Sequence, residues 1–105
     1  MEIVETSVFT RQINGLLKDD EYKELQDRLA TNPRAGAVIP GSGGLRKLRW
    51  HVEGRGKRGG IRVIYYYLAP DDWIFMLAAY AKRAKTDLTA KELAALKKLV
   101  QEELS

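Results

Sequence analysis

The chain has 105 residues, of which 45% are hydrophobic, and its net charge is +4. This length fits one compact core, so we expect a single domain over residues 1–105. Cysteine is absent and His51 is the lone histidine, which argues against disulfides and against metal sites built from thiolates or imidazoles. We therefore expect no metal and no cofactor. With no signal-peptide pattern at the start and no apolar run near the roughly 18 residues of a membrane span, the expected location is the cytoplasm, away from membranes.

The first third of the chain predicts a strand followed by two helices. Residues 2–5 are β-prone, and the pairs Thr6-Ser7 and Asp19-Asp20 can each cap a helix with apolar residues at helical spacing. The second helix is expected to end at Asn32, because the residue before a proline avoids helical conformation. The following loop reads as irregular, with Val38-Ile39 held against the core.

From Leu45 onward the apolar period becomes two, which predicts strands. In the first strand Leu48, Trp50 and Val52 alternate with polar residues. A glycine-rich connection over 54–60 leads to a second strand, 61–68, and a turn at Pro70-Asp71-Asp72 leads to a third, 73–81. Three consecutive strands with short connections predict an antiparallel meander.

The last helix has the clearest start signal in the chain. Thr89 and Glu92 have the spacing of a capping box, and Leu88 and Leu93 the spacing of a hydrophobic staple. Its apolar stripe predicts packing on the sheet or on a partner protein. The whole pattern predicts an α+β fold of order β-α-α-β-β-β-α, with an antiparallel sheet of about four strands. We expect the helices on one face and the function on the other.

Residues 41–67 are strongly basic. They contain seven Lys or Arg residues and one acid, Glu53, which gives +6 within this stretch. A polyanion is the natural partner of such a cluster. The glycines of the 54–60 connection leave backbone N–H groups free to approach a phosphate, although a solvated basic turn explains the same residues.

Arg62 is the anomaly of the second strand, because its neighbours are apolar on both sides. A guanidinium stays charged, so at a nearly buried position it needs either a buried salt bridge or an open anion-binding cleft. Strand parity places it with Lys47, Arg49, Lys82 and Tyr80 on one face. These cations suit RNA phosphates, and Tyr80 can either stack on a base or act as a core aromatic.

Such a face could also cut RNA without a metal. The 2′-OH of RNA can attack the adjacent phosphate if one group takes its proton and another stabilises the developing charge. A lysine crowded by cations can act as the base, because its pKa is lowered. Arg62 could stabilise the transition state.

Three motifs together, GSGGLRKLRW, GKRGGIRVIYY and YAKRAKTDLT, resemble the HigB-like branch of the RelE toxin superfamily. The resemblance covers essentially the whole chain. It implies a β-α-α-β-β-β-α fold and the toxin of a type II toxin-antitoxin pair. It also implies an enzyme that enters the ribosomal A site and cuts mRNA during translation, leaving a 2′,3′-cyclic phosphate without a metal.

The resemblance also implies roles for individual residues. Arg62 would stabilise the transition state, Lys47 or Arg49 would contact the scissile phosphate, Tyr80 would stack on a base, and Lys82 or Lys85 would protonate the leaving oxygen. Further RNA contacts are predicted for the remaining basic residues of these motifs, namely Arg46, Lys57, Arg58 and Arg83. Ala84 stands where the family often has an acid, and His51 is predicted to be a solvated strand-end residue.

The expected partners are the ribosome with its mRNA and a cognate antitoxin, of the helix-turn-helix, HigA-like type according to the resemblance. Two alternatives remain open at this point. One is a ParE-like toxin of the same fold that poisons DNA gyrase by protein contact, against which the density of Lys and Arg argues. The other is a non-catalytic RNA-binding domain.

Overall fold

The structure, a computed structural model, describes residues 1–52 and 60–104. The described residues form five strands and three helices. In chain order these are β1 (Glu2–Glu5), α1 (Ser7–Leu16), α2 (Asp19–Thr31), β2 (Ala37–Val38), β3 (Arg46–His51), β4 (Gly60–Leu68), β5 (Trp73–Ala81) and α3 (Ala90–Leu104). A 3₁₀ turn, Ala69–Asp71, joins β4 to β5. The predicted α+β fold is confirmed.

The sheet has the order β1-β5-β4-β3-β2. Strands β3, β4 and β5 form the predicted antiparallel meander, and β4 occupies the centre. Two features differ from the sequence prediction. The sheet is mixed, because β1 pairs in parallel with β5, and a fifth, two-residue strand, β2, pairs with β3 inside the segment that was expected to be irregular.

Helices α1 and α2 cover one face of the sheet. The Thr6 hydroxyl caps α1 by accepting a hydrogen bond from the Phe9 N–H at 3.0 Å, as the sequence predicts. The start of α2 differs by one residue from the prediction, since Lys18 is its N-cap and Asp19 is already helical. Phe9, Ile13, Leu25 and Leu29 are buried against the inner side chains of β3, β4 and β5. This is the first core.

Helix α3 covers part of the opposite face, so the expectation that all helices share one face is wrong. Leu93, Leu96, Leu99 and Val100 pack against β4 and β5 in a second core. The physical reason lies in β5, where every residue from 74 to 80 is buried. A strand that is apolar on both faces needs a covering layer on each.

The capping box of α3 is present as predicted. The Thr89 N–H donates to Glu92 Oε1 at 2.8 Å, and the Glu92 N–H donates to Thr89 Oγ1 at 3.1 Å. Leu88 and Leu93 both pack into the second core. The start of the helix is thereby fixed against the sheet, next to the ends of β3 and β5.

The loop between α2 and β3 is held by a tyrosine that reaches across the first core. The Tyr65 hydroxyl donates to the Pro33 carbonyl at 2.7 Å and accepts from the Gly36 N–H at 2.8 Å. A side chain at Gly36 would lie 2.9 Å from the Tyr65 ring, so this close approach requires glycine. Ile39 packs against the second core as expected, but Val38 is 52% exposed because it lies on the edge strand.

Candidate functional site

A row of three side chains crosses the sheet on the face that α3 partly covers. The strand register places Arg49 opposite Arg62, and Arg62 opposite Tyr80. Directly opposed residues point to the same face with their Cβ atoms about 5 Å apart. Lys47 lies two residues before Arg49, opposite Ile64 of the second core, and therefore joins this face. The register thus brings four of the predicted site residues together, as the sequence pattern indicates.

The two arginines of this row are directly opposed, and neither forms an ion pair with a carboxylate of the described residues; Asp87 interacts with both through its charge, but its own ion pair is with Lys47. Arg62 is half-buried, and its Nη1 donates to the Ile61 carbonyl at 3.3 Å. Within residues 1–52 and 60–104, no carboxylate forms an ion pair with Arg62 or Arg49. Like charges directly opposite each other in a sheet are destabilising, so this arrangement favours a bound anion. The alternative of a buried salt bridge finds no partner for Arg62 among these residues.

Lys82 joins the two arginines at the end of the meander. Its backbone N–H donates to the Gly60 carbonyl at 3.1 Å. A β-carbon at Gly60 would lie 3.9 Å from Arg62 Nη1 and 4.0 Å from Lys82 Cδ, so both side chains lie close over this glycine. Arg49, Arg62 and Lys82, with His51, line one open cleft of about 130 Å³, which we call the arginine cleft.

Lys47 faces a different hollow. Its Nζ pairs with Asp87 Oδ1 at 2.6 Å, and both residues line a cavity of about 200 Å³ between the sheet and the start of α3, which we call the Asp87 cavity. Ile39, Ile64, Leu88 and Leu93 form its apolar walls. The hydrogen bond and charge of Lys47, followed by the charges of Arg49 and Arg62, hold the pKa of Asp87 below its usual value.

Tyr80 also lines the Asp87 cavity. It is only 8% exposed, and Lys85 Nζ lies 5.6 Å from the centroid of its ring. Its hydroxyl is buried without a hydrogen-bond partner among the described residues. Burial, and next the charge of Asp87, raise the pKa of this tyrosine. The structure therefore favours the core-aromatic interpretation of Tyr80, because a buried ring offers no free face for base stacking.

Lys85 is held away from the arginine cleft. Its Nζ forms an ion pair with Glu92 Oε2 at 2.5 Å, and this pairing is the main reason that the pKa of Glu92 is lowered. Since Glu92 also belongs to the capping box, Lys85 links the Tyr80 ring to the start of α3. Lys82, in contrast, is exposed and lines the cleft. Of the two lysines predicted to protonate the leaving oxygen, Lys82 has the more suitable position.

The described residues contain no group of three or more His, Asp or Glu side chains arranged to hold a metal ion. Over the same residues, none of the helices has both the length and the apolar character needed to cross a bilayer.

Comparison with known proteins identifies the family. A family model described as the RelE toxin of the RelE/RelB toxin-antitoxin system matches residues 1–105. The chain belongs to the RelE toxin family. Among solved structures it is similar to free E. coli toxin RelE carrying two arginine-to-alanine substitutions, with a TM-score of 0.56 and 15% identity. The match covers 94% of this chain and 95% of that one. At this identity the likeness supports the fold alone.

Not all cations predicted to bind RNA lie on the site face of this RelE-family toxin. Arg46 is opposite Tyr65, on the face of the first core, and its Nη1 donates to the Gly36 carbonyl at 2.7 Å. Arg83 is exposed in the turn after β5. Lys57 and Arg58, with most of the predicted glycine-rich connection, lie outside the described residues. The RNA-binding roles of Lys57, Arg58 and Arg83 stay predictions, whereas the position of Arg46 argues against an RNA contact there.

Asp87 is the site residue that sequence reasoning missed. The family pattern draws attention to position 84, where this toxin has alanine, whereas Asp87 brings a carboxylate to Lys47 from 40 residues further along the chain. No periodicity connects two residues so far apart. The available signal was the capping box, because an acid two residues before the N-cap Thr89 must lie wherever α3 docks on the sheet.

Proposed function

We propose that this RelE-family toxin cuts mRNA on translating ribosomes, through attack of an RNA 2′-OH on the adjacent phosphate. Residues 1–105 act as one toxin domain in the cytoplasm. The observation that carries the proposal is the opposition of Arg49 and Arg62 beside Lys82, with neither arginine in an ion pair with a described carboxylate. Three cations in one open cleft provide a site for a dianionic, phosphorane-like transition state, and preorganised charge of this kind is a large term in catalysis.

Each of these residues has a separate role in the proposed reaction. The 2′-oxygen forms a bond to phosphorus while the bond from phosphorus to the 5′-oxygen breaks, which yields a 2′,3′-cyclic phosphate and a free 5′-hydroxyl. Arg62, half-buried at the centre of the row, stabilises the charge on the non-bridging oxygens. Arg49 holds the scissile phosphate, because Lys47 is already paired with Asp87. Lys82 donates a proton to the leaving 5′-oxygen, and the 2′-OH transfers its proton to solvent water, which later returns one to Lys82, so the protons balance.

The three sequence motifs support two further proposals, one about the branch of the family and one about the antitoxin. We place this toxin in the HigB-like branch, and we expect its antitoxin to be a helix-turn-helix protein of the HigA type. Co-expression of the product of the neighbouring open reading frame tests the second point. Formation of a stable complex that restores translation supports it, whereas a failure to bind counts against it.

The test of the main proposal is a cell-free translation reaction followed by primer extension along the mRNA. Wild type, Arg62→Ala and Arg28→Ala are compared with and without ribosomes. Arg28 is an exposed arginine of α2 and serves as the matched control. We expect ribosome-dependent cuts for wild type and Arg28→Ala, and a loss of rate of roughly 10²- to 10³-fold for Arg62→Ala, in line with the removal of one group that stabilises a transition-state charge.

Intact mRNA with normal translation would overturn the proposal and favour the gyrase-poison alternative, which a DNA supercoiling assay then examines. Blocked translation without cuts would favour RNA binding alone.

A further inference from the structure

The Asp87 cavity has a composition that phosphate binding does not explain. Its polar groups are the Lys47–Asp87 pair and Tyr80, and its walls are apolar. The Asp87 side chain is 64% exposed, so its carboxylate is accessible from solvent. A carboxylate repels RNA phosphates and lowers the positive potential of the site face. It accepts hydrogen bonds from uncharged donors, however, and nucleobases carry such donors on their edges.

A second observation points to a ligand in the same cavity. The Tyr80 hydroxyl is buried and has no hydrogen-bond partner within residues 1–52 and 60–104, although nearly all buried polar groups in proteins have one. Tyr80 lines the cavity, and Asp87 is close enough to influence its ionisation. A ligand with polar edge atoms would satisfy this hydroxyl.

The cavity adjoins the arginine cleft. Lys47 and Arg49 are two residues apart on one face of β3, a separation of about 7 Å, and Tyr80 is directly opposite Arg62. An RNA strand with a phosphate between Arg49 and Arg62 therefore places a neighbouring base at the mouth of the Asp87 cavity. Apolar walls around a base, with a few polar groups on its edge, are a common way to bind an unstacked nucleobase.

We propose that the Asp87 cavity binds one base of the mRNA next to the scissile phosphate and selects guanine; the proposal rests on the function given above. The Watson–Crick edge of guanine carries two adjacent N–H donors and one carbonyl acceptor. The donors match the carboxylate of Asp87, and the acceptor matches Lys47 Nζ. Adenine and cytosine each offer one amino group on this edge, and uracil a single ring N–H.

The first test maps cleavage sites across many mRNAs in the cell-free translation reaction, for wild type, Asp87→Asn and Asp27→Asn. Asp27 is an exposed aspartate of α2, a helix on the opposite face of the sheet, and is the control. For wild type and Asp27→Asn we expect guanine to be favoured at one fixed position by roughly tenfold over the other bases. Asp87→Asn is expected to lose this preference and to shift towards adenine, because an asparagine amide matches the donor-acceptor pair of adenine.

A uniform loss of rate at all sites in Asp87→Asn, with the base profile unchanged, would overturn the proposal and leave Asp87 as a positioning residue. A wild-type profile without base preference would overturn it as well.

The second test uses no ribosome and no cleavage, so it separates a failure of this inference from a failure of the proposed function. Fluorescence anisotropy measures the binding of labelled five-nucleotide RNAs, uridine throughout or with a central guanosine or adenosine, to the intact protein. We expect roughly tenfold tighter binding of the guanosine oligonucleotide to wild type, and loss of this difference in both Asp87→Asn and Tyr80→Phe. Equal affinities for the three oligonucleotides in wild type would refute the guanine site, whether or not mRNA is cut.

Discussion

Tyr65 and Tyr80 are both buried in the sheet, but their hydroxyl groups have opposite surroundings. The Tyr65 hydroxyl has two backbone partners, Pro33 and Gly36, whereas the Tyr80 hydroxyl has none among the described residues. A hydrogen bond that replaces bonds to water adds modest stability, but a buried group left without a partner carries its full desolvation cost. The same chemical change at the two positions is therefore expected to have different effects.

We predict that Tyr65→Phe lowers the free energy of unfolding by about 1–3 kcal/mol, because it leaves the buried Gly36 N–H without an acceptor. Tyr80→Phe is expected to leave stability unchanged or to raise it by up to about 1 kcal/mol, because it removes an unpaired hydroxyl. Urea denaturation of both variants and wild type measures the difference. If Tyr80→Phe costs as much as Tyr65→Phe, the Tyr80 hydroxyl has a partner within the folded chain.

The pairing of Asp87 with Lys47 predicts how protein stability and the titration of Asp87 depend on pH. Lys47 holds the pKa of Asp87 below the 3.8 that is usual for an aspartate. Because the folded-state pKa is the lower one, the pair contributes stability above the unfolded-state pKa, and this contribution is lost as pH falls through the lowered value. We expect an NMR titration to give Asp87 a midpoint below 3.8 in wild type and a higher midpoint in Lys47→Gln, where only the charges of Arg49 and Arg62 still lower the pKa.

Glu92 is the internal control of that titration, because its pKa is lowered mainly by Lys85. It is expected to stay low in Lys47→Gln. A parallel rise of both carboxylates would mean that the substitution disturbs the start of α3 instead of removing one charge.

At the scale of elements, α3 depends on its first turn. The Thr89 side chain accepts the Glu92 N–H, and Glu92 also binds Lys85, so the cap connects the helix to the end of β5. We predict that Thr89→Ala destabilises the protein by about 1 kcal/mol, the usual cost of losing an N-cap. Thr31→Ala, at the exposed end of α2, is expected to stay within about 0.5 kcal/mol of wild type. Thermal unfolding followed by circular dichroism compares the two, and equal effects would contradict the role of the cap.

The elements that sequence alone predicts are those set by local chemistry. The meander of β3, β4 and β5 follows from alternating apolar residues, and the start of α3 follows from its capping box. The parallel pairing of β1 with β5 could not be predicted in this way, because it depends on which edge of the finished meander stays open. The packing of α3 on the sheet was predicted, but the face on which it packs was predicted wrongly for a related reason. Residues 73–81 are apolar at nearly every position, so both faces of β5 need a covering layer, and α3 supplies the layer on the second face.

In the site, too, some residue positions follow from local sequence patterns and others depend on the packing of distant segments. Strand parity correctly brings Lys47, Arg49, Arg62 and Tyr80 to one face, because parity is a local property. It does not reveal that Tyr80 is covered by α3 or that Asp87 reaches Lys47, since both depend on the packing of distant segments. The same parity separates two adjacent residues of β3. Lys47 faces the site, whereas its neighbour Arg46 faces the other side of the sheet.

At the scale of the whole molecule, the placement of charge predicts a salt dependence. If about six phosphates of single-stranded RNA are neutralised, log affinity falls with log salt at a slope of roughly −4. Arg49→Ala and Lys82→Ala are each expected to reduce the size of this slope by about 0.7, because each removes one phosphate contact. Arg46→Ala is expected to keep it, since Arg46 binds the Gly36 carbonyl on the other face. Anisotropy titrations from low to high salt measure the slopes, and a wild-type slope near zero would contradict an electrostatic mode of RNA binding.

The pairing of the first strand with the last has a consequence for how the toxin is made. Strand β1 is completed by residues 73–76 of β5, and the Thr6 hydroxyl donates to the Leu77 carbonyl across 71 positions of sequence. Contacts between such distant residues form only when both segments are available. During translation β1 therefore remains unpaired until β5 has emerged from the ribosome. The arginine cleft also needs Lys82, so it is assembled at that same late stage. A nascent chain that still lacks β5 therefore does not carry the complete cleft.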